Sequence, residues 1–404
     1  MVQILLLSQW FQPEPHFKGL PLAQALADLG HEVEVLTGFP NYPGGRLYPG
    51  YRVKLWQREQ MGAVGVTRAP LYPSHDRSAI KRIANYVSFA VSSTLLALTR
   101  PRPDVVYVYC PPMTAAAAAV ILRFLRRVPY VVDIQDLWPD TLASTGMVKN
   151  GLIMRMVGAW SNFAMRHAER LVVLSPGFKR RLVDRGIAVP IDVIPNWAPP
   201  EIERLMIAPF SAVRECGIFN VLFAGNMGQA QALTTVLDAA ALLLGDPSIR
   251  FTFIGGGVQV EELKKLANKR DLANVTFLPS RPAEEMMDVF ADADALLVHL
   301  RDDPLFAITI PSKTQAYLAA GKPILMGVLG DAAAMVEQAG AGLIYEPENA
   351  KALAEAVVKL SRLSPAERQQ MGERGQAFYR AQLSFGVNLP KIAKVLSLAA
   401  KSAA

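Results

Sequence analysis

The sequence predicts an α/β protein of two Rossmann-like domains, each a doubly wound parallel sheet, facing one another across an interdomain cleft. Three observations predict it. A chain of 404 residues that is 51% hydrophobic can bury two cores of ordinary size. Short, almost wholly apolar runs recur, each followed by a helical pattern, which is how strands buried on both faces read. That rhythm pauses at Pro195–Pro200, where the chain reads PNWAPP, and then restarts.

In the first half the predicted strands are Gln3–Leu7, Val33–Leu36, Val105–Tyr109, Tyr130–Ile134 and Leu171–Leu174. In the second they are Asn220–Ala224, Arg250–Ile254, Val275–Phe277, Ala295–His299 and Pro323–Met326. With the proline-rich stretch as linker, the expected domains are 1–197 and 198–380. A terminal helix in 381–404, patterned near Val387–Ala400, is able to cross back to the first half. Ligands of such sheets sit beyond the carboxyl ends of the strands, so the strand-to-helix loops are where chemistry is expected.

The first strand leads through Trp10-Phe11-Gln12-Pro13-Glu14-Pro15-His16-Phe17-Lys18-Gly19 into a helical pattern over Leu20–Leu29. Lys18 and Gly19 at a helix start suit a phosphate, because unsatisfied amides and the helix dipole both favour an anion. A plain turn reads equally well. The strand at Tyr130–Ile134 ends in DIQDLWPD, Asp133 to Asp140, which gathers three carboxylates and a tryptophan. Asp136 is placed to orient or deprotonate a hydroxyl; its structural alternative is a cap or turn residue.

In the second half, Gly225-Asn226-Met227-Gly228-Gln229-Ala230-Gln231 and Gly255-Gly256-Gly257 follow successive strands. Glycine there permits close backbone approach to a ligand, although neither loop has dinucleotide or P-loop spacing. The richest stretch runs from His299 to Pro323. Ser312 reads as an N-cap, and Lys313 just inside the helix opposes the dipole unless an anion sits there. A diphosphate resolves that conflict; a solvent-facing Lys313 costs only ~0.3–1 kcal/mol. Asp292 and Asp294 read as a helix end entering a strand, so no metal site is expected. His31, His75 and His167 show no pairing.

Composition narrows the class further. Two cysteines, Cys110 and Cys216, form neither a disulfide framework nor a zinc spacing, which points to a reducing compartment. The opening MVQILLLSQWFQPEP reads as a strand and loop, not a leader, and the apolar stretches Tyr86–Leu98 and Met113–Leu125 are too short to span a bilayer. A net charge of +7 suits acidic partners. Basic residues beside apolar helical stretches in the first half favour a membrane surface over nucleic acid.

Five segments together carry a family likeness: GFPNYPGG at Gly38–Gly45, DIQDLWPD, IPNW at Ile194–Trp197, FAGNMGQAQ at Phe223–Gln231, and His299–Pro323. Over nearly its whole length the chain resembles the retaining GT-B glycosyltransferases of family 4, in a bacterial branch similar to the L-fucosamine transferase WbuB. The resemblance implies metal-independent transfer of a hexosyl or N-acetylhexosaminyl group, with no cofactor, from a UDP-linked donor to a lipid-linked saccharide in surface polysaccharide synthesis. It places the enzyme in the cytoplasm, peripheral to the inner face of the membrane.

In that picture Gly19, Gly225, Asn226, Gly228, Gln231, Gly255, Gly256, Arg281, Arg301, Pro311, Ser312 and Lys313 surround the donor. Asp136, Lys18 and Asp303 carry the catalysis, with Lys18, Gly19 and Asp136 meeting the acceptor. The chain departs from the family at Ala316, which takes the place of the second of two family glutamates. Asn226, Gln231 and Gln135 replace an arginine, a lysine and a histidine. These departures keep two rivals open: a GT-B epimerase acting on a UDP-aminosugar, and a catalytically silent scaffold subunit.

Overall fold

A computed structural model describes residues 1–16, 18–74, 79–144, 150–206 and 217–402. Two compact units emerge, Met1–Pro195 together with Asn388–Ala404, and Asn196–Val387. His75 and Cys216 lie outside the described residues.

The first unit is built on β1 (Gln3–Ser8), β2 (Glu32–Gly38), β3 (Gln57–Met61), β4 (Val64–Ala69), β5 (Val105–Cys110), β6 (Tyr130–Ile134), β7 (Arg170–Val173) and β8 (Ile191–Val193). Their spatial order is β3-β4-β2-β1-β5-β6-β7-β8. At its centre Leu6 pairs with Val35 on one side and Tyr107 on the other. Every residue of β5 and β6 is buried, as their unbroken apolar runs require.

The edge departs from a purely parallel sheet, because β3 and β4 form an antiparallel hairpin turning at Gly62. Neither strand announces itself. Gln57–Met61 reads QREQM, and β4 carries Arg68, whose guanidinium is fully buried and paired to Glu59 at 2.8 Å. A polar edge strand such as β3 has no apolar periodicity to detect, and in the interior strand β4 the buried Thr67 and Arg68 break the apolar run.

The second unit contains β9 (Phe219–Ala224), β10 (Ile249–Ile254), β11 (Val275–Leu278), β12 (Ala295–His299), β13 (Ile324–Gly327) and β14 (Gly342–Ile344). All pair in parallel, in the order β11-β10-β9-β12-β13-β14. Counting from β9 as strand 1, this is the order 3-2-1-4-5-6 of a dinucleotide-type fold, whose switch point lies between β9 and β12. Phe223, Phe251 and Phe253 fill one face of the sheet, and Leu222, Leu296 and Tyr317 the other. Burying each such side chain contributes roughly 1.5–3 kcal/mol. The helix Pro365–Phe378 opens with a reciprocal Ser364–Glu367 capping box that satisfies its first amides. No described helix is long and apolar enough to cross a membrane.

Candidate functional site

In the second unit the loops after β9 and β10 touch through their backbones. Gly225 donates its N–H to Ile254 O at 2.9 Å, and Met227 donates to Gly256 O at 2.6 Å. Gly255 has φ of +143°, and a Cβ added there would lie 2.0 Å from Gly225 O. This glycine therefore serves loop against loop, a closer use than the expected approach to a ligand. Gln231 turns back in the same way: its Oε1 accepts the Gly228 N–H at 2.9 Å, bracing its own loop. Asn226 lies beside it, its Nδ2 3.0 Å from where a Gly228 Cβ would be.

The β12 loop joins this platform, since Arg301 N donates to Ala230 O at 2.9 Å while the Arg301 side chain stays exposed. Asp303, expected to be catalytic, instead caps the short helix Pro304–Ala307, accepting from Leu305 N at 2.8 Å. A short helix that begins at a proline needs that acceptor more than solvent does. Arg281 pairs with Glu285 at 3.3 Å and lines a groove of about 650 Å³ that runs along β9 and β10.

The helix Ser312–Ala320 starts one residue earlier than a Ser312 cap requires; Pro311 holds the cap position and no side chain caps the end. Lys313 is where the local physics is unusual. Its ammonium is buried with no hydrogen-bond partner among the described residues, and it stands 3.5 Å above the centroid of the Phe223 ring. A Cβ on Gly225 would be 3.5 Å from it. Burial lowers its pKa to about 7. Among the described residues, further buried atoms without a hydrogen-bond partner are Thr314 Oγ1 on the same helix, His299 Nε2 at the end of β12 and Tyr345 Oη after β14. His299 is held neutral, its pKa lowered to about 4 by burial first and by the Lys313 charge second. Its ring meets Tyr345 edge-on at 5.8 Å.

Buried polar atoms are almost always paired, so a buried cation without a hydrogen-bond partner among the described residues is an unusual feature of this loop cluster. The cation–π contact offsets part of the cost of holding that charge without a counter-ion.

The first unit treats its charges differently. Lys18, expected to face a phosphate, is fully buried and reaches Asp133 at 2.5 Å, where Tyr107 also donates and Gln135 donates to the other oxygen at 2.5 Å. A buried carboxylate on β6 demands a cation more strongly than a solvated anion does. Gly19 precedes the helix Leu20–Asp28, but the first amide there, Leu20 N, is taken by Gln12 Oε1 at 2.6 Å. Asp136 is half-buried, and burial raises its pKa to about 6.

Comparison with known proteins adds to this geometry. Residues 20–197 match the model of the glycosyl transferase 4-like domain, and residues 218–378 match that of the glycosyl transferases group 1. The chain belongs to the family 4 glycosyltransferases. It is 29% identical over 312 residues to the colanic acid biosynthesis glycosyl transferase WcaI of Escherichia coli K12, covering 74% of this chain and 76% of that one. In fold it resembles sucrose-phosphate synthase from Thermosynechococcus elongatus (TM-score 0.73, 15% identity, 99% and 100% of the two chains). It also resembles Anabaena HepE, solved with UDP and glucose (TM-score 0.66, 17% identity, 98% and 100%). These neighbours show a GT-B fold, two Rossmann-like parallel-sheet units.

For this glycosyltransferase, sequence reasoning singled out Lys313 and the glycine loops but passed over His299, Thr314 and Tyr345. His299 stood at the head of the richest stretch without an assigned role. Tyr345 follows a three-residue strand, β14, that carries no periodic signal, so nothing in the sequence pointed to it.

Proposed function

We propose that this transferase moves a sugar, an N-acetylated aminosugar of the L-fucosamine kind, from a UDP donor to a lipid-linked saccharide in bacterial surface polysaccharide synthesis. The observation that carries the donor half is the unpartnered Lys313 ammonium at a helix start beside two glycine loops. The bond between the anomeric carbon and the diphosphate oxygen breaks, and the diphosphate leaves with the electron pair, neutralised by Lys313. The acceptor oxygen bonds to the anomeric carbon with retention, and its proton passes to a carboxylate, for which Asp136 is the candidate. No metal is required in this scheme, because prearranged donors of this kind are each worth ~2.7–4 kcal/mol of barrier. The printed names of WcaI and HepE, colanic acid biosynthesis and a UDP complex, agree with the pathway class and the nucleotide.

The lipid half is supported by the surface of the first unit. On the helix Ala79–Thr99, Ile83, Val87, Val91 and Leu95 recur every fourth residue and are 44% to 61% exposed. Phe124 and Leu125 on Ala117–Arg126, and Leu152 and Met156 on Gly151–Arg166, are exposed as well. Phe124 and Phe163 stack at 6.0 Å and join the latter two helices. Arg127, Arg155 and Arg166 stand exposed near these residues in the chain. Such an apolar stripe with basic neighbours fits the headgroup region of an anionic membrane.

The test is incubation of the full chain with a panel of UDP-sugars, with and without a lipid-diphosphate-linked saccharide, read by mass spectrometry and by the anomeric proton of the product. Acceptor-dependent UDP release with a retained anomer is expected. Isomerisation of a donor without acceptor would replace this reading with the epimerase, and donor binding without turnover over a broad acceptor panel would replace it with the scaffold.

A further inference from the structure

The two central strands of the second unit part before they end. β9 keeps its partner β10 as far as Ala224 opposite Ile254, and β12 keeps β13 as far as His299 opposite Gly327. Between themselves, β9 and β12 pair only at Val221 with Ala295 and at Leu222 with Leu296. Gly225 donates to Ile254 O, so the alternation of the strand turns the Ala224 amide and carbonyl the other way, toward β12. Both groups are buried beside a neighbour that has left the ladder, where an unanswered backbone group is costly.

One phenol answers both. The Tyr317 hydroxyl accepts the Ala224 N–H at 3.0 Å and donates to the Ala224 carbonyl at 3.1 Å. Its ring is buried and meets Phe290 edge-on at 5.4 Å, so it comes to the strand from within the core. Lys313 lies four residues earlier on the same helix, hence on the same face. Its ammonium reaches the two residues that flank Ala224, standing 3.5 Å from the Phe223 centroid and 3.5 Å from where a Gly225 Cβ would be. Tyr317 packs with the core on one face of the sheet and Phe223 with the core on the other. The lysine thus crosses from one face toward the other where the strands have parted.

Continued pairing would close that opening. Paired strands lie about 4.8 Å apart, which leaves no room for a lysine stem between them. A hydroxyl carried by the helix takes the place of the missing ladder bonds, and it can do so only while the strands stay apart. A buried phenol needs one partner; this one serves both groups of a single residue, the middle one of the three that the helix touches.

We propose that Tyr317 is a positioning residue for Lys313: its hydroxyl holds β9 open from β12 at Ala224 and fixes the helix there, which sets the ammonium over Phe223 and beside Gly225. That this ammonium meets a diphosphate rests on the glycosyl-transfer reading; that Tyr317 places it does not.

Two measurements on the full chain test this with Tyr317→Phe. The first is an NMR titration of the lysine side-chain nitrogens, in which the Lys313 signal is the one lost in Lys313→Met. Its midpoint, about 7 in the wild type, is expected to rise by about one pH unit or more in Tyr317→Phe as the ammonium leaves the dry opening. The second is calorimetry with UDP. Tyr317→Phe should weaken binding by about tenfold in the wild-type background and by less than about twofold in Lys313→Met, because both substitutions remove the same interaction. An unmoved midpoint, or equal weakening in both backgrounds, overturns the proposal and leaves Tyr317 a residue of the core. Should Tyr317→Phe not fold, Tyr317→Met carries the same expectations, since a flexible thioether adapts to the space of the ring. Failure of both to fold where Lys313→Met folds overturns the proposal too. If UDP does not bind, or binds Lys313→Met as tightly as wild type, the donor reading falls and the titration alone decides for or against Tyr317.

Discussion

Two lysines of this chain, each at the start of a helix beyond a parallel sheet, meet opposite fates. Lys18 of the first unit is locked to Asp133, which also accepts hydrogen bonds from Tyr107 and Gln135, so every charge in that group is answered from within. The Lys313 ammonium of the second unit is buried over the face of Phe223 and has no hydrogen-bond partner among the described residues. A satisfied buried charge holds a fold together. An unsatisfied one is retained at a cost to the free protein and gains its partner when a ligand arrives.

The comparison breaks most readily at Lys18. Replacing it by methionine leaves the Asp133 carboxylate buried and uncompensated, and about 3–5 kcal/mol of stability should be lost. Urea unfolding followed by circular dichroism checks this, and a loss below about 1 kcal/mol would mean that the pair is not structural.

Lys313→Met should act in the reverse sense. The free protein stays as stable or becomes slightly more so, because an unpartnered cation has been removed, while turnover falls by about 10²–10³ as one oxyanion donor is lost. Thermal melting and initial rates of UDP release measure the two sides. A large drop in melting temperature with unchanged turnover would reverse the assignment.

A smaller effect sharpens the same contrast through pH. Lys313 titrates near 7 in the folded chain, against an unfolded value of 10.5, so the unfolded chain binds more protons between these values. Its cost to stability is fully present below pH 7 and is relieved as pH rises from 7 towards 10.5. A bound diphosphate pulls the pKa back up, so UDP binding above pH 7 takes up a proton and weakens by up to about tenfold per pH unit. Calorimetry in two buffers of different ionisation enthalpy reads the proton directly. Pairing to a fixed protein carboxylate would abolish the uptake.

The smallest expected change in stability, within about 0.5 kcal/mol, belongs to Val87→Glu combined with Val91→Glu on the exposed stripe. Binding to anionic vesicles should nonetheless fall by about tenfold or more, since two apolar side chains leave the interface and two negative charges enter it. Unchanged flotation would sink the membrane reading without touching the site.

By itself, the sequence determined the alternation of strands and helices, the pause near Pro195 and the loops where chemistry concentrates. Almost unbroken apolar runs are local facts about burial, and β1, β5, β6, β9 and β12 each lie where such a run occurs. It did not determine β3, which is polar, β4, whose apolar run is broken by Thr67 and Arg68, or β8 and β14, which are only three residues long. Nor did it separate Lys18 from Lys313. Both are lysines at helix starts, and what distinguishes them is a carboxylate 115 residues away in one case and no hydrogen-bond partner among the described residues in the other. The energy of a buried charge is set by what folding brings within a few ångströms of it, which only the tertiary structure decides.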